Sequence, residues 1–341
     1  MKQALLVINM QNGFLSSESP WCIPGARDVV PATARLLAAC RADGSDVDFS
    51  RREGWIKGGK PLTLGSTGPL SAENPPEFAR CAGDYEIIRS RCSAFFQTGL
   101  EQLLRQLGVD MVLLAGADTP HCVRATCYDA LSWGYLTAVV EDCCACASRE
   151  AWRSNLRDMT EAGAEVLPSS LILRELAGMT VRPAVMADLD RCAEIESLCF
   201  PPAQAASREV LRGRIQAYPE TVLVGELDGE IVGYVMGPVI RQSTITDEMF
   251  ADPGCGWFHN PYQAVFSLAV HPDFQGRDYG RILLGELIWK SRKSGRRGVV
   301  LTCKEEKIAY YESFGFENRG VSKSVHGGAV WYDMLLPIEE L

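Results

Sequence analysis

The sequence predicts an α/β protein in two parts: a doubly wound parallel sheet, followed by a mixed α+β domain. Three observations predict it. In the first half, short unbroken apolar runs such as Leu5-Leu6-Val7-Ile8 and Met111-Val112-Leu113-Leu114 alternate with segments of helical periodicity. Strands buried on both faces of a parallel sheet read this way. From about residue 178 the pattern changes: two helical segments precede a hairpin that turns on Asp228-Gly229. At 341 residues the chain is also long enough to bury two separate cores.

Taken in order, Leu5 to Ile8 opens the first sheet, Ala34 to Ala42 reads as a helix, and Val47 to Ser50 and Tyr85 to Ile88 read as strands. Leu100, Leu103, Leu104 and Leu107 form one helical stripe, closed by Gly108. Met111 to Gly116 is a strand, Cys122 to Trp133 a helix, Ala138 to Glu141 a strand, and Ser148 to Ala162 a helix stopped by Gly163. Leu167-Pro168 ends the last strand of this half, and Leu171 to Ala177 closes it. A hinge at Gly178 gives domains of residues 1–177 and 178–341. The second domain starts with Thr180 to Pro183, then helices Ala187–Cys199 and Ser207–Ala217, with Ser207 as N-cap. Hairpin strands around Thr221–Gly225 and Glu230–Gly237 follow. Then come a strand at Phe266–Val270, a helix carrying Ile282, Leu283, Leu284 and Leu287, a strand at Val299–Thr302, a helix at Lys307–Phe314 and a closing strand at Ala329–Leu336.

Composition limits the functions open to such a fold. With 47% hydrophobic and 23% charged residues and no long apolar run, the chain reads as soluble globular protein. The opening MKQALLVINMQ is not expected to be a signal peptide. A net charge of -9 and a pI near 5.1 argue against nucleic acid or an anionic membrane as partner. The 13 cysteines, without an export signal, point to a reducing compartment, so the expected location is cytoplasmic. Cys143 and Cys146 form a C-x-x-C, but no second pair stands at zinc spacing. They are read as small buried residues, and no metal is expected.

The stretch with most chemistry in it is FSLAVHPDFQGRDYGRILL, residues 266–284. A strand breaks at His271-Pro272, turns through Gln275, Gly276, Arg277, Asp278, Tyr279 and Gly280, and enters a helix at Arg281. Such a turn leaves backbone N–H groups without partners at the positive end of a helix dipole, a place suited to pyrophosphate. The pattern resembles the Q/R-x-x-G-x-G/A acetyl-CoA signature of the GNAT N-acetyltransferase superfamily, with Asp278 at the first glycine position. The element order over residues 179–336 resembles the same superfamily. FPPAQAASREVL, LTCKEEKIAYYESFGFENRG and HGGAVWYDM look like its arylalkylamine branch. The resemblance implies acetyl-CoA as co-substrate and a small-molecule amine as acceptor. Backbone groups of Leu268 and Val270 are then expected on the pantetheine. Gln275 to Arg281 are expected around the phosphates, chiefly through the N–H groups of Arg277, Tyr279 and Gly280 and the side chain of Arg281. Tyr311 is the expected general acid to the leaving thiolate, Tyr310 falling one residue out of register. The branch's paired histidines map onto Ala264 and Phe266, so that base is missing; His259 and His271 are the nearby histidines.

Three segments of the first half are similar to the isochorismatase-like cysteine hydrolases: VINMQNGF (7–14), IIRSRCSAF (87–95) and LLAGADTPHCVRATCYDA (113–130). The resemblance covers residues 1–175 and implies an Asp, a Lys and a Cys as catalytic triad. The cysteine maps onto Cys122, at a strand-to-helix junction that favours a thiolate. The Asp falls on Asn9, which cannot titrate, and the Lys on Arg89, which stays protonated. SRREGWIKGG (50–59) lacks the metal-binding histidines of the nicotinamidase branch. The family's cis peptide is expected at Asp118–Thr119. The resulting expectation is an N-acetyltransferase fused to a hydrolase-like domain with an altered triad. A bifunctional hydrolase–transferase and a non-catalytic CoA-binding or scaffolding protein are the alternatives, and a homo-oligomer through the first domain is left open.

Overall fold

The computed structural model describes residues 1–52, 54–57, 60–63, 73–251 and 260–338. Two units emerge, Met1–Leu176 and the chain from Ala177 onward. The first contains β1 (Gln3–Ile8), α1 (Asn12–Leu15), α2 (Val30–Asp43), β2 (Asp46–Arg52), β3 (Gly54–Lys57), β4 (Lys60–Thr63), β5 (Tyr85–Arg89), α3 (Leu100–Leu107), β6 (Met111–Ala117), α4 (Arg124–Ser132), β7 (Leu136–Ala145), α5 (Arg149–Glu161), β8 (Glu165–Leu167) and α6 (Ser169–Leu176). Six strands form one all-parallel sheet in the order β5-β2-β1-β6-β7-β8.

The unbroken apolar runs follow from this sheet having a core on each face. Leu6, Ile8, Val112 and Leu114 pack into one core, and Leu5, Val7, Leu113 and Ala115 into the other. Each leucine, isoleucine and valine among them contributes roughly 1.5–3 kcal/mol through burial. Gly108 closes α3 in the left-handed region at φ 69°. The chain runs outward from β1 to β2 and β5 on one side, then to β6, β7 and β8 on the other. The strand order therefore reverses beside β1 and β6, and the crevice at their carboxyl ends is where such sheets bind ligands.

The second unit contains β9 (Thr180–Pro183), α7 (Leu189–Cys199), α8 (Arg208–Ala217), β10 (Val222–Leu227), β11 (Glu230–Met236), β12 (Val239–Ile240), α9 (Asp247–Ala251), β13 (Tyr262–Val265), β14 (Ser267–Val270), α10 (Tyr279–Lys293), β15 (Gly298–Cys303), α11 (Ile308–Glu312), β16 (Glu317–Val321) and β17 (Tyr332–Pro337). Ser207 caps α8 through its hydroxyl, as expected. Asp228 (φ 49°) and Gly229 (φ 82°) form the expected tight hairpin turn between β10 and β11.

The strand expected at Phe266–Val270 is β14, and β13, a strand not among the expected elements, runs directly before it in a different sheet; this division creates the site. β14 pairs antiparallel with β11, whereas β13 pairs parallel with β15, and the chain parts at Phe266. β14 thereby diverges from β15. Gly237 serves the same junction, since a Cβ there would lie 2.1 Å from the Ala264 carbonyl oxygen. Helix α10, fully buried from Ile282 to Leu287, packs against β10, β11, β14 and β15 across the divergence. The helix expected at Lys307–Phe314 is shorter, because Gly315 turns the chain at φ 91°.

Candidate functional site

In the second unit the diverging strands open a cleft of about 1050 Å³. The His271 N–H donates to the Val232 carbonyl, which sets the hydrogen-bond alternation along β14. Ser267 and Ala269 thus bond towards β11, while Leu268 and Val270 turn their backbone groups to the opposite edge, into the cleft. The Val270 carbonyl already accepts from the Gln275 amide at 2.8 Å and from the Cys199 thiol at 3.2 Å, so Gln275 ties the turn to the strand.

Beyond β14 the chain makes a short 3₁₀ turn, Pro272–Phe274, then passes Gly276 at φ 76° and Asp278 at φ 60° before α10 begins. Asp278 thus occupies the left-handed conformation that a glycine would adopt freely. Aspartate is among the few other residues that tolerate it, so the turn keeps its shape. Its exposed carboxylate lies 3.7 Å from Arg281 Nε. Among the described residues, the N–H groups of Arg277, Tyr279 and Gly280 meet no backbone acceptor. The Arg281 guanidinium stacks 4.3 Å from the Phe314 ring and donates to Ser313 Oγ at 2.9 Å, both residues lying just past the end of α11.

The two tyrosines of α11 pack edge to face, with ring centroids 5.1 Å apart. The Tyr310 hydroxyl stands 3.3 Å from where a Cβ on Gly280 would lie, at the turn that leads into α10. Tyr311 also borders the cleft, beside Cys303. Although the residue as a whole is half-buried, its phenol is enclosed, and burial, helped by Tyr310 and Cys303, pushes its pKa well above the usual tyrosine value. It is a neutral donor across the physiological range.

Where the sequence left a gap, the structure places Glu196. This residue on α7 is 2% exposed yet borders the cleft. Tyr234 donates to its Oε2, the Ala206 N–H donates to Oε1 at 2.8 Å, and Ser267 adds a further hydrogen bond. Burial raises its carboxyl above the ordinary glutamate value, against those bonds and the nearby Arg214. The sequence signal was a glutamate on the helix face of Leu189, Cys192 and Cys199, where an apolar residue belongs. Ala264 is buried, and Phe266 sits at the strand break within the cleft. His271 turns to its own loop, where Nδ1 accepts from the Asp273 N–H at 3.3 Å. His259 lies outside the described residues.

In the first unit, Asn9 follows β1, Arg89 ends β5 and Cys122 follows β6, and the three side chains meet. Arg89 Nη2 donates to Asn9 Oδ1 at 2.6 Å, and Nη1 lies 3.8 Å from Cys122 Sγ. A further bond from Nη1 to the Arg91 carbonyl, at 2.5 Å, fixes the guanidinium plane. All three residues are at most 3% exposed. Cys122 lies in a wide π-type turn, Thr119–Val123, one turn ahead of the regular helix α4. The cis peptide is Ala117–Asp118, one residue before the expected Asp118–Thr119, because β6 stays in its ladder through Ala117 and the junction follows directly. Gly116 permits the close approach of β1, since a Cβ there would lie 2.0 Å from the Ile8 carbonyl oxygen. Cys143 is buried and Cys146 half-buried. Among the described residues no group of three or more His, Cys, Asp or Glu is placed to hold a metal ion. No described helix is long and apolar enough to cross a membrane.

Residues 3–170 match the model of the isochorismatase domain. A probable inactive nicotinamidase of Arabidopsis thaliana is 32% identical over 177 residues, which take in 47% of this chain and 89% of that protein. The chain belongs to the isochorismatase family. Within the family, the maleamate amidohydrolase of Pseudomonas putida is 31% identical over 190 residues, 52% of this chain and 89% of that protein. The crystal structure of an isochorismatase family protein from Desulfovibrio vulgaris is 32% identical, with a TM-score of 0.49, covering 52% of this chain and 98% of that one. The isochorismatase unit is followed by a second domain: residues 189–316 match the model of the acetyltransferase (GNAT) family.

Proposed function

We propose that the chain is an acetyl-CoA-dependent N-acetyltransferase acting on a small amine, joined to a hydrolase-like unit with an altered triad. One observation carries the reading: the acceptor-free turn, the outward backbone of Leu268 and Val270, and the Tyr311 phenol all border a single cleft. Acetyl-CoA bound there supplies a thioester carbonyl open to attack by nitrogen. Leu268 and Val270 bind the pantetheine through their backbone, and the N–H groups of Arg277, Tyr279 and Gly280, backed by the α10 dipole, bind the pyrophosphate. Glu196 takes the proton of the incoming ammonium, so that neutral nitrogen attacks. As the C–N bond forms and the C–S bond breaks, Tyr311 gives its proton to the leaving sulfur, the second proton of the now cationic nitrogen passes to the tyrosinate and restores the phenol, and Glu196 returns its proton to solvent. The arylalkylamine resemblance of segments 200–211, 301–320 and 326–334 is supported by the rings of Phe250, Phe266, His326 and Trp331 in the same cleft.

A cysteine hydrolase at Cys122 is the second reading, favoured by one contact set: Arg89 still joins Asn9 and Cys122. Against it stands Asn9, which has no proton affinity to serve as base. Relatives of similar identity include one named probable inactive nicotinamidase and one named maleamate amidohydrolase, so the family name alone does not choose. Isothermal titration with acetyl-CoA, followed by thiol release on adding amines, tests the transferase. No binding heat at millimolar acetyl-CoA overturns it.

A further inference from the structure

Resting on the transferase reading, we propose that the acceptor is an amine carrying a second cationic group, and that Asp247 binds that group. Among the described residues four carboxylates border the cleft. Asp278 belongs to the turn, Glu306 shares its segment with Lys304 and Lys307, and Glu196 faces the strand break; Asp247 is the one these roles leave over. It opens α9, one turn before Phe250. The Phe250 ring lies 4.9 Å from Phe266, at the strand break, and 4.7 Å from His326 on the other side. Phe266 marks the reacting end of the cleft, and the Phe250 and His326 rings carry the lining from there to the loop whose Val325 N–H binds Asp247.

The carboxylate is fixed in place without being filled. Ser324 Oγ donates to Oδ1 and the Val325 N–H donates to Oδ2 at 3.1 Å, which leaves acceptor sites on both oxygens. These bonds, with His326, hold its carboxyl below the usual carboxylate range, so it is ionised at neutral pH. Phe250, His326 and Trp331 line the same cleft, the first two rings stacked at 4.7 Å and the last two with centroids 6.4 Å apart. A carboxylate bordered by aromatic rings in a concave site recognises a cation both by charge and through the rings. The reacting nitrogen cannot be that cation, because it must be neutral beside Glu196 and Tyr311 when it attacks. Arg214, the cation nearest the reacting end, is held by the Phe250 carbonyl at 3.0 Å and faces the charge of Glu196. The near end of the cleft is thus balanced and the far end anionic.

Matched acceptors test this with the full-length protein: 1,5-diaminopentane against hexylamine, and p-xylylenediamine against 4-ethylbenzylamine. In at least one pair the diamine should exceed its monoamine in kcat/KM by at least about tenfold. Asp247→Asn should bring that ratio to about one, and Asp247→Glu should restore part of it. Loss of a merely structural carboxylate would lower both members alike and keep the ratio, which overturns the proposal. So does a parent enzyme that acetylates monoamines as well as diamines. Failure of every amine, of either kind, would instead bring down the transferase reading with it.

Discussion

Replacing Tyr311 by phenylalanine removes a single hydroxyl from the cleft and little else. The ring's contacts with Tyr310 and Phe316, at centroid distances of 5.1 Å and 5.8 Å, do not involve that oxygen. The expected loss of stability is therefore about 1 kcal/mol or less. The catalytic loss should be larger. A positioned general acid contributes about 10²-fold or more, equivalent to roughly 2.7 kcal/mol of transition-state stabilisation. Since burial keeps the parent phenol protonated, the loss should appear at every pH from 6 to 9 (roughly the working range) rather than as a shifted pH limb. Coenzyme affinity should stay within about twofold, because the turn binds through backbone groups. Tyr310→Phe is the control: its hydroxyl stands at Gly280, so its removal should act on affinity before kcat. Steady-state thiol release and isothermal titration with acetyl-CoA read the two quantities separately. A Tyr311→Phe enzyme with undiminished kcat, or with its loss confined to coenzyme affinity, refutes the assignment.

Glu196→Gln should lower kcat by about 10²-fold and abolish the acid limb of the rate profile, while the melting temperature at neutral pH holds or rises. The sign follows from burial. The folded carboxyl titrates above its unfolded value, so its stabilising effect is present at low pH and lost as pH rises through the folded value, while the base form appears over the same interval. Asp48 offers a pure stability test, since burial and then Glu86 raise its carboxyl to about 7, and both its oxygens are buried without hydrogen-bond partners among the described residues. Its contribution is lost as pH climbs from about 4 to 7. Asp48→Asn should therefore stabilise the protein by of the order of 2–3 kcal/mol more at pH 8 than at pH 5, measured by urea unfolding; equal effects at the two pH values would count against a strongly shifted carboxyl. Finally, the double substitution Asn9→Asp, Arg89→Lys should confer amide hydrolysis that Cys122→Ala removes. Strong Cys122-dependent turnover by the parent protein would establish the second reading instead.

Much of this protein was determined locally. Unbroken apolar runs dictate strands with a core on both faces, the 3.6-residue stripe of Leu100 to Leu107 dictates a helix, and Asp228-Gly229 dictates a tight hairpin, because each depends on neighbours in the chain. The turn from Gln275 to Gly280 was legible for the same reason, even with Asp278 in a glycine's place. Other features needed distant partners. Whether Phe266 continues a strand depends on β11 and β15 pulling its two ends into different sheets, and no local pattern encodes that competition. Tyr310 and Tyr311 are adjacent letters, and only the packing of α11 over the turn sends one hydroxyl to Gly280 and encloses the other. Glu196 gains its place only when Tyr234 and Ser267 arrive from two other strands to hold it. Asp247 drew no notice in sequence, because the loop donors that hold it lie 77 and 78 residues away and reach it only when the chain folds.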